Sequence, residues 1–225
     1  MSLSELENNF NIAKDNTSPI EIVEAIIPLV NAYQQVRKYD SAVNCLKGAL
    51  PIIREKGEIG QEAVILTALG TAFWEKAQLQ KALDQFSPAL DLFKKAGDKM
   101  GERVIYAMVG ITFWRKCEWQ RALELFTGIW REDEGLIIDN QFASVQGALE
   151  RGIVTLQNRV RMGRELQDSL KILQPLFSVS VLYQMLGDRE QFKNSFDEAV
   201  VLAESLNKTD ILNAAKDLSQ LVNLY

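Results

Sequence analysis

With 225 residues, 47% of them apolar and 24% charged, the chain has material for one extended array or two small domains. Its 25 basic residues against 30 acidic ones leave a net charge of −5, short of the basic face that general nucleic-acid binding needs. Histidine is absent, which removes the usual general base and the commonest metal ligand. The two cysteines, Cys45 and Cys117, lack zinc-type spacing and read as small buried or turn residues of a reducing compartment. No metal, no cofactor and no structural disulfide are expected.

The first residues, Met1 to Glu7, are acidic where a signal peptide would be basic. No stretch approaches the roughly 20 apolar residues that span a bilayer, so the expected location is cytoplasmic. Ser4 to Lys14 predicts a short acidic amphipathic helix with Leu6, Phe10 and Ile12 apolar. Asp15-Asn16-Thr17-Ser18-Pro19 then breaks the chain and starts a helix, with Ser18 as cap, Pro19 in the first turn and Glu21 three residues on. Helix pairs are predicted at 18–36 with 39–56, 59–77 with 79–95, and 98–116 with 118–131. Lys56-Gly57, Ala96-Gly97-Asp98 and Asp133-Glu134-Gly135 supply the stops. Pro28, Pro51 and Pro88 fall inside these helices; they read as kinks in long helices, with a break into shorter pieces as the rival. Phe142, Val145, Leu149, Ile153, Leu156 and Val160 then mark one long amphipathic helix over 138–162. It is expected to pack as a divergent repeat helix. Pro175 opens a last pair, and Ile211 to Leu224 reads as a terminal capping helix. The expected organisation is an extension at 1–17, three repeats at 18–135, and a divergent remainder at 136–225.

The pairs repeat one another. Leu69-Gly70-Thr71-Ala72-Phe73-Trp74 matches Val109-Gly110-Ile111-Thr112-Phe113-Trp114 forty residues on, and Lys81-Ala82-Leu83 matches Arg121-Ala122-Leu123. Ala42, Ala82 and Ala122 hold the same register, as do Gly57 and Gly97. A weaker copy runs from Ile26-x2-Leu29-Val30-x2-Tyr33 to Ala42-x3-Leu46. A fourth runs from Leu176-x2-Val179-Ser180-x2-Tyr183 through Gly187-Asp188 to Phe192-x3-Phe196. A fixed period in this range signals stacked units, none able to bury its apolar face alone. Small residues such as Gly70 and Ala82 would let two antiparallel helices approach closely, with Phe73 and Phe86 filling the flanks.

These motifs resemble the tetratricopeptide repeat, in the longer-helix form of Pins-like and kinesin-light-chain-like proteins; the common repeat is 34 residues. The resemblance implies an all-α, right-handed α-solenoid of antiparallel helix pairs. It also implies a concave groove lined by first helices. Carried over, the groove residues are Ile27, Asn31, Gln34 and Gln35; Thr67, Thr71, Trp74 and Glu75; and Ala107, Ile111, Trp114 and Arg115. Since Phe73 and Phe113 take the buried family position, Trp74 and Trp114 would form an aromatic wall for a partner; the other reading packs both against the next repeat or the long helix. The lysine and asparagine clamp for a C-terminal carboxylate is matched only at Asn31. Trp119 reads as a core aromatic.

Arg151, Arg159, Arg161 and Arg164 are the densest basic cluster, a docking patch for an acidic partner or a solvated helix face. There is no Gly-x-Ser-x-Gly and no phosphate loop. The expected function is a non-catalytic protein–protein interaction scaffold or assembly factor. A ligand-responsive regulator and a homo-oligomeric structural protein, joined through the long helix or the last repeat, are the alternatives.

Overall fold

The computed structural model describes residues 1–16, 18–130 and 139–222. Its fold class is all-α, an array of antiparallel helix pairs of tetratricopeptide type. The chain divides into two compact units, Met1–Met108 with Ile138–Ala148, and Val109–Ile137 with Leu149–Tyr225.

In the first unit, α1 (Leu3–Asn16) lies on α2 (Pro19–Gln35), which pairs with α3 (Tyr39–Lys56). Next, α4 (Ile59–Glu75) pairs with α5 (Leu79–Ala96) and packs on α3. The buried face of α1 is Leu6, Phe10 and Ala13, whereas Ile12 is exposed. Tyr33 Oη donates to Glu7 Oε1 at 2.7 Å and ties α1 to the first repeat. Ser18 does stand at the N-cap of α2, but its hydroxyl caps nothing; Asn16 Nδ2 reaches Glu21 instead, at 3.3 Å. Thr17 lies outside the described residues.

Pro28, Pro51 and Pro88 sit within continuous helices, so the reading of broken pieces fails. The tight approach in the second repeat is to an aromatic ring. A Cβ at Gly70 would stand 2.5 Å from Phe86 Cε1, so the glycine makes room for the Phe86 ring rather than for Ala82. Arg37, Ala77 and Cys117, forty residues apart, take positive φ of 60°, 57° and 60° in the turns within successive pairs. There the amides of Lys38, Gln78 and Glu118 donate to the carbonyls of Tyr33, Phe73 and Phe113. The aromatic of the motif therefore also anchors the turn.

Helix α6 (Lys99–Arg115) carries the glycine of the third repeat, and in the second unit a Cβ at Gly110 would stand 2.3 Å from Phe126 Cε1. Its partner α7 (Trp119–Phe126) is shorter than expected, ending in turns that reach Trp130. The Asp133-Glu134-Gly135 stop lies outside the described residues. A 3₁₀ turn (Asn140–Phe142) leads into α8 (Ala143–Glu165), the predicted long helix.

The fourth repeat is α9 (Ser169–Met185) with α10 (Arg189–Ser205), followed by α11 (Thr209–Leu221). Phe177 of α9 meets Trp114 at 4.8 Å and Trp119 at 5.7 Å between ring centroids. Phe177 of the fourth pair thus packs directly on aromatics of the third, while α8 joins α9 through a turn of the same form, with Gln167 at φ 53° and the Asp168 amide donating to the Gly163 carbonyl. Helix α11 packs on α10 and α7. The predicted end of the capping helix at Leu224 lies outside the described residues.

Asp168 caps α9, accepting from the amides of Leu170 and Lys171 at 3.1 and 3.2 Å and from Lys171 Nζ at 3.1 Å. The Lys171 side chain and these amides hold its carboxyl below the usual 3.8. Because the folded value lies under the unfolded one, the cap contributes above about pH 4 and is lost as pH falls through the folded value. A carboxyl NMR titration is expected to place the Asp168 midpoint below that of an unfolded peptide; an equal midpoint would remove this capping role.

Candidate partner-binding faces

Eight of the twelve residues expected to line a groove are buried: Ile27, Gln34, Thr67, Thr71, Trp74, Ala107, Ile111 and Trp114. The reason is register. Gln34, Trp74 and Trp114 occupy the same position in three successive first helices, with exposures of 0%, 3% and 0%. At Trp114 that position meets Phe177 of the following first helix, together with Trp119 at 4.8 Å and Phe126 at 5.9 Å. At Trp114 the position belongs to the packing between repeats, and both tryptophans are buried and form no exposed aromatic wall. Helix α4 is buried at every residue from Ala63 to Trp74. Its threonine hydroxyls turn back on their own helix, Thr67 to the Ala63 carbonyl at 2.7 Å and Thr71 to that of Thr67 at 2.8 Å. Such back-bonding satisfies a buried hydroxyl without a ligand.

Within the first unit, the 3₁₀ turn lies against α2 and α4, and Phe142 meets Phe93 edge-on at 5.7 Å. Ser144, Val145 and Ala148 are buried with it. The chain's own residues thus take up space beside these first helices. Of the remaining candidates, Asn31, Glu75 and Arg115 are half-buried and Gln35 is exposed.

Gln34 is the odd member of its register. Neither its amide oxygen nor its nitrogen has a hydrogen-bond partner among the described residues. A buried polar group left in that state costs about 1–3 kcal/mol. Gln34→Leu is therefore expected to raise stability by about 1–2 kcal/mol in urea unfolding. Destabilisation would mean that the amide is satisfied after all.

The four arginines of α8 differ in their surroundings. Arg164 is held by Glu198, its Nη2 standing 2.5 and 2.8 Å from the two carboxylate oxygens. Arg161 is exposed, with Glu165 at 3.9 Å. Arg151 is half-buried and Arg159 exposed. Burial first, and then the positive charge of Arg159, pull the Arg115 guanidinium below its ordinary value.

Arg161 and Arg164 border a cleft of about 320 Å³ formed by α8, α9 and α10. Val160, Leu176 and Val179 supply its apolar lining, while Gln157, Gln191 and Asn194 bring amides to it. Tyr183 adds a hydroxyl that accepts from Gln157 Nε2. A second cleft, of about 390 Å³, lies between α7 and α11, where Trp119 and Arg121 stand with Asp210, Asn213 and Asp217. Trp119 packs one side of its ring on Trp114 and Phe177, so the predicted core aromatic also lines a surface cleft. Sequence patterning marked only Arg161 and Arg164 at the border of the first cleft, and it carried no signal for the second, which joins helices from distant segments.

Among the described residues, no group of three or more cysteine or acidic side chains stands where it could hold a metal ion. None of the described helices is long and apolar enough to cross a membrane.

No protein-family model and no curated protein matches the chain. Among solved structures, it is similar to BtubC (BKLC) from P. vanneervenii at 18% identity and a TM-score of 0.49, with 91% of each chain covered. It is also similar to the nearly identical TPR-like repeats described for a kinesin light chain of Podosopora anserina. There the identity is 14% and the TM-score 0.46, over 83% of this chain and 96% of that one.

Proposed function

We propose that the protein is a non-catalytic docking scaffold that holds a segment of another protein, with the α8–α9–α10 cleft as its docking site. The cleft carries this reading. It combines an apolar lining with side-chain amides, which pair with a peptide backbone, and with the guanidinium of Arg161 at its border. Because Glu198 holds Arg164 at 2.5 Å while Glu165 stands 3.9 Å from Arg161, Arg161 is the more available charge to select an acidic residue in the partner. A helix-pair array suits this work, since rigid helices hold the contacts in place without ordering cost at binding.

The test is affinity capture from the source cells with wild type, Arg161→Glu and Asn194→Arg, all at equal helicity by circular dichroism. A partner that both variants lose by about tenfold or more supports the cleft. A partner retained by both places docking elsewhere.

A further inference from the structure

Helix α8 presents a second, uncovered face in the unit formed with α9 and α10. Val154 and Met162 are 57% and 56% exposed, and Leu166, just past the helix end, is 61% exposed. Large apolar side chains scattered singly need no explanation, but Val154 and Met162 share one helix face, eight residues apart. Asn158 lies midway between them, and Arg151, Arg161 and Glu165 fall on the same face. Arg161 apart, whose mirror position is Thr155, these residues are symmetric about Asn158. Laid antiparallel on a copy of itself, the face sets Val154 against Met162 of the second helix, Asn158 against Asn158, and Arg151 against Glu165. Apolar residues meet apolar ones, and opposite charges meet at both ends.

We propose that this face of α8 is a homodimer interface in which two copies pair antiparallel about Asn158. A pairing related by a twofold axis must be self-complementary, residue i meeting j and j meeting i, and Val154 with Met162, Arg151 with Glu165, and Asn158 with itself satisfy that. A single helix face buries less than the roughly 1,200 Å² of a standard stable interface. The dimer is accordingly weak and concentration-dependent. The proposal does not rest on the docking cleft: Val160 and Arg164 of the cleft lie on another side of α8, and Arg161, which borders both faces, takes no part in the pairing.

Sedimentation of the full chain from low to high micromolar concentration tests the interface. The average mass is expected to climb from 25.4 kDa toward twice that value. Met162→Lys is expected to move the transition at least about tenfold higher in concentration. Arg151→Glu and Glu165→Arg should each weaken the dimer, and the two together should restore it, because the reversed charges meet again across the axis. Asn158→Cys in a Cys117→Ser background should give a disulfide-linked dimer on mild oxidation. Asn158, Met162, Glu165 and Cys117 are exposed and Arg151 is half-buried, and circular dichroism checks that each variant keeps its helices. A mass that stays at 25.4 kDa throughout overturns the proposal. So does self-association that ignores Met162→Lys, or paired charge reversals that fail to rescue.

Discussion

Replacing Trp114 with alanine is expected to cost about 3–5 kcal/mol of stability, a large part of the roughly 5–15 kcal/mol that holds a typical domain folded. The side chain is fully buried and touches three other aromatics: Trp119 of its own pair's second helix, Phe126 further along that helix, and Phe177 of the fourth repeat. Alanine removes the ring from all three contacts and leaves a cavity that two packed repeats cannot collapse around. Hydrogen bonding is not what makes the indole necessary, because Nε1 has no partner among the described residues. Trp114→Phe, which retains most of the apolar surface, should therefore cost clearly less than Trp114→Ala. Urea unfolding followed by circular dichroism measures both. Equal losses for Phe and Ala would show that the indole nitrogen, rather than ring packing, carries the stability. A loss under about 1 kcal/mol for alanine would contradict the buried placement altogether.

Gly110→Ala is expected to destabilise by about 1–3 kcal/mol, although alanine is the better helix former by about 1 kcal/mol. The added Cβ would stand 2.3 Å from Phe126 Cε1 and 2.8 Å from Cδ1, closer than carbon atoms approach. Phe126 is itself fully buried and in contact with Trp114 and with Trp130, whose centroid is 4.6 Å away, so its ring has nowhere to retreat. The steric term wins over the propensity term. A double-mutant cycle isolates it: in a Phe126→Leu background, Gly110→Ala should lose most of its penalty, giving a coupling of about 1–2 kcal/mol. If the two substitutions simply add, the glycine is not there to admit the ring. Gly70 and Phe86 repeat the arrangement in the first unit, so the same cycle there should behave alike.

Those glycines show where the sequence was easiest to read. A glycine at the same place in two helices, followed by an aromatic three residues later, reports a close contact that any side chain would obstruct. The helix pairs from α2 to α6 accordingly begin and end close to their predicted limits. The fourth repeat was legible too, despite Phe192 in a small-residue position; that ring packs on Phe196 at 5.4 Å. Trp74 and Trp114 were harder. A phenylalanine already held the family's buried position, which left the next residue to face outward only if nothing lay beyond it. In the second unit the following repeat lies there. Helix α8 posed a similar difficulty, since an amphipathic stripe announces that one face is covered without naming the cover. The arginines were visible as a cluster on one helix, yet their roles depend on Glu198 and Arg115, residues supplied by other helices.

The place of α8 in the chain also orders events during synthesis. Trp114 and Trp119 leave the ribosome together, but Phe177, which covers both, follows only after the whole of α8 has been made. At about 5–20 residues per second, the two indoles wait roughly 3–13 seconds for their neighbour. Throughout that interval the nascent third repeat presents an uncovered aromatic surface, and it is there that a chaperone would find the growing chain.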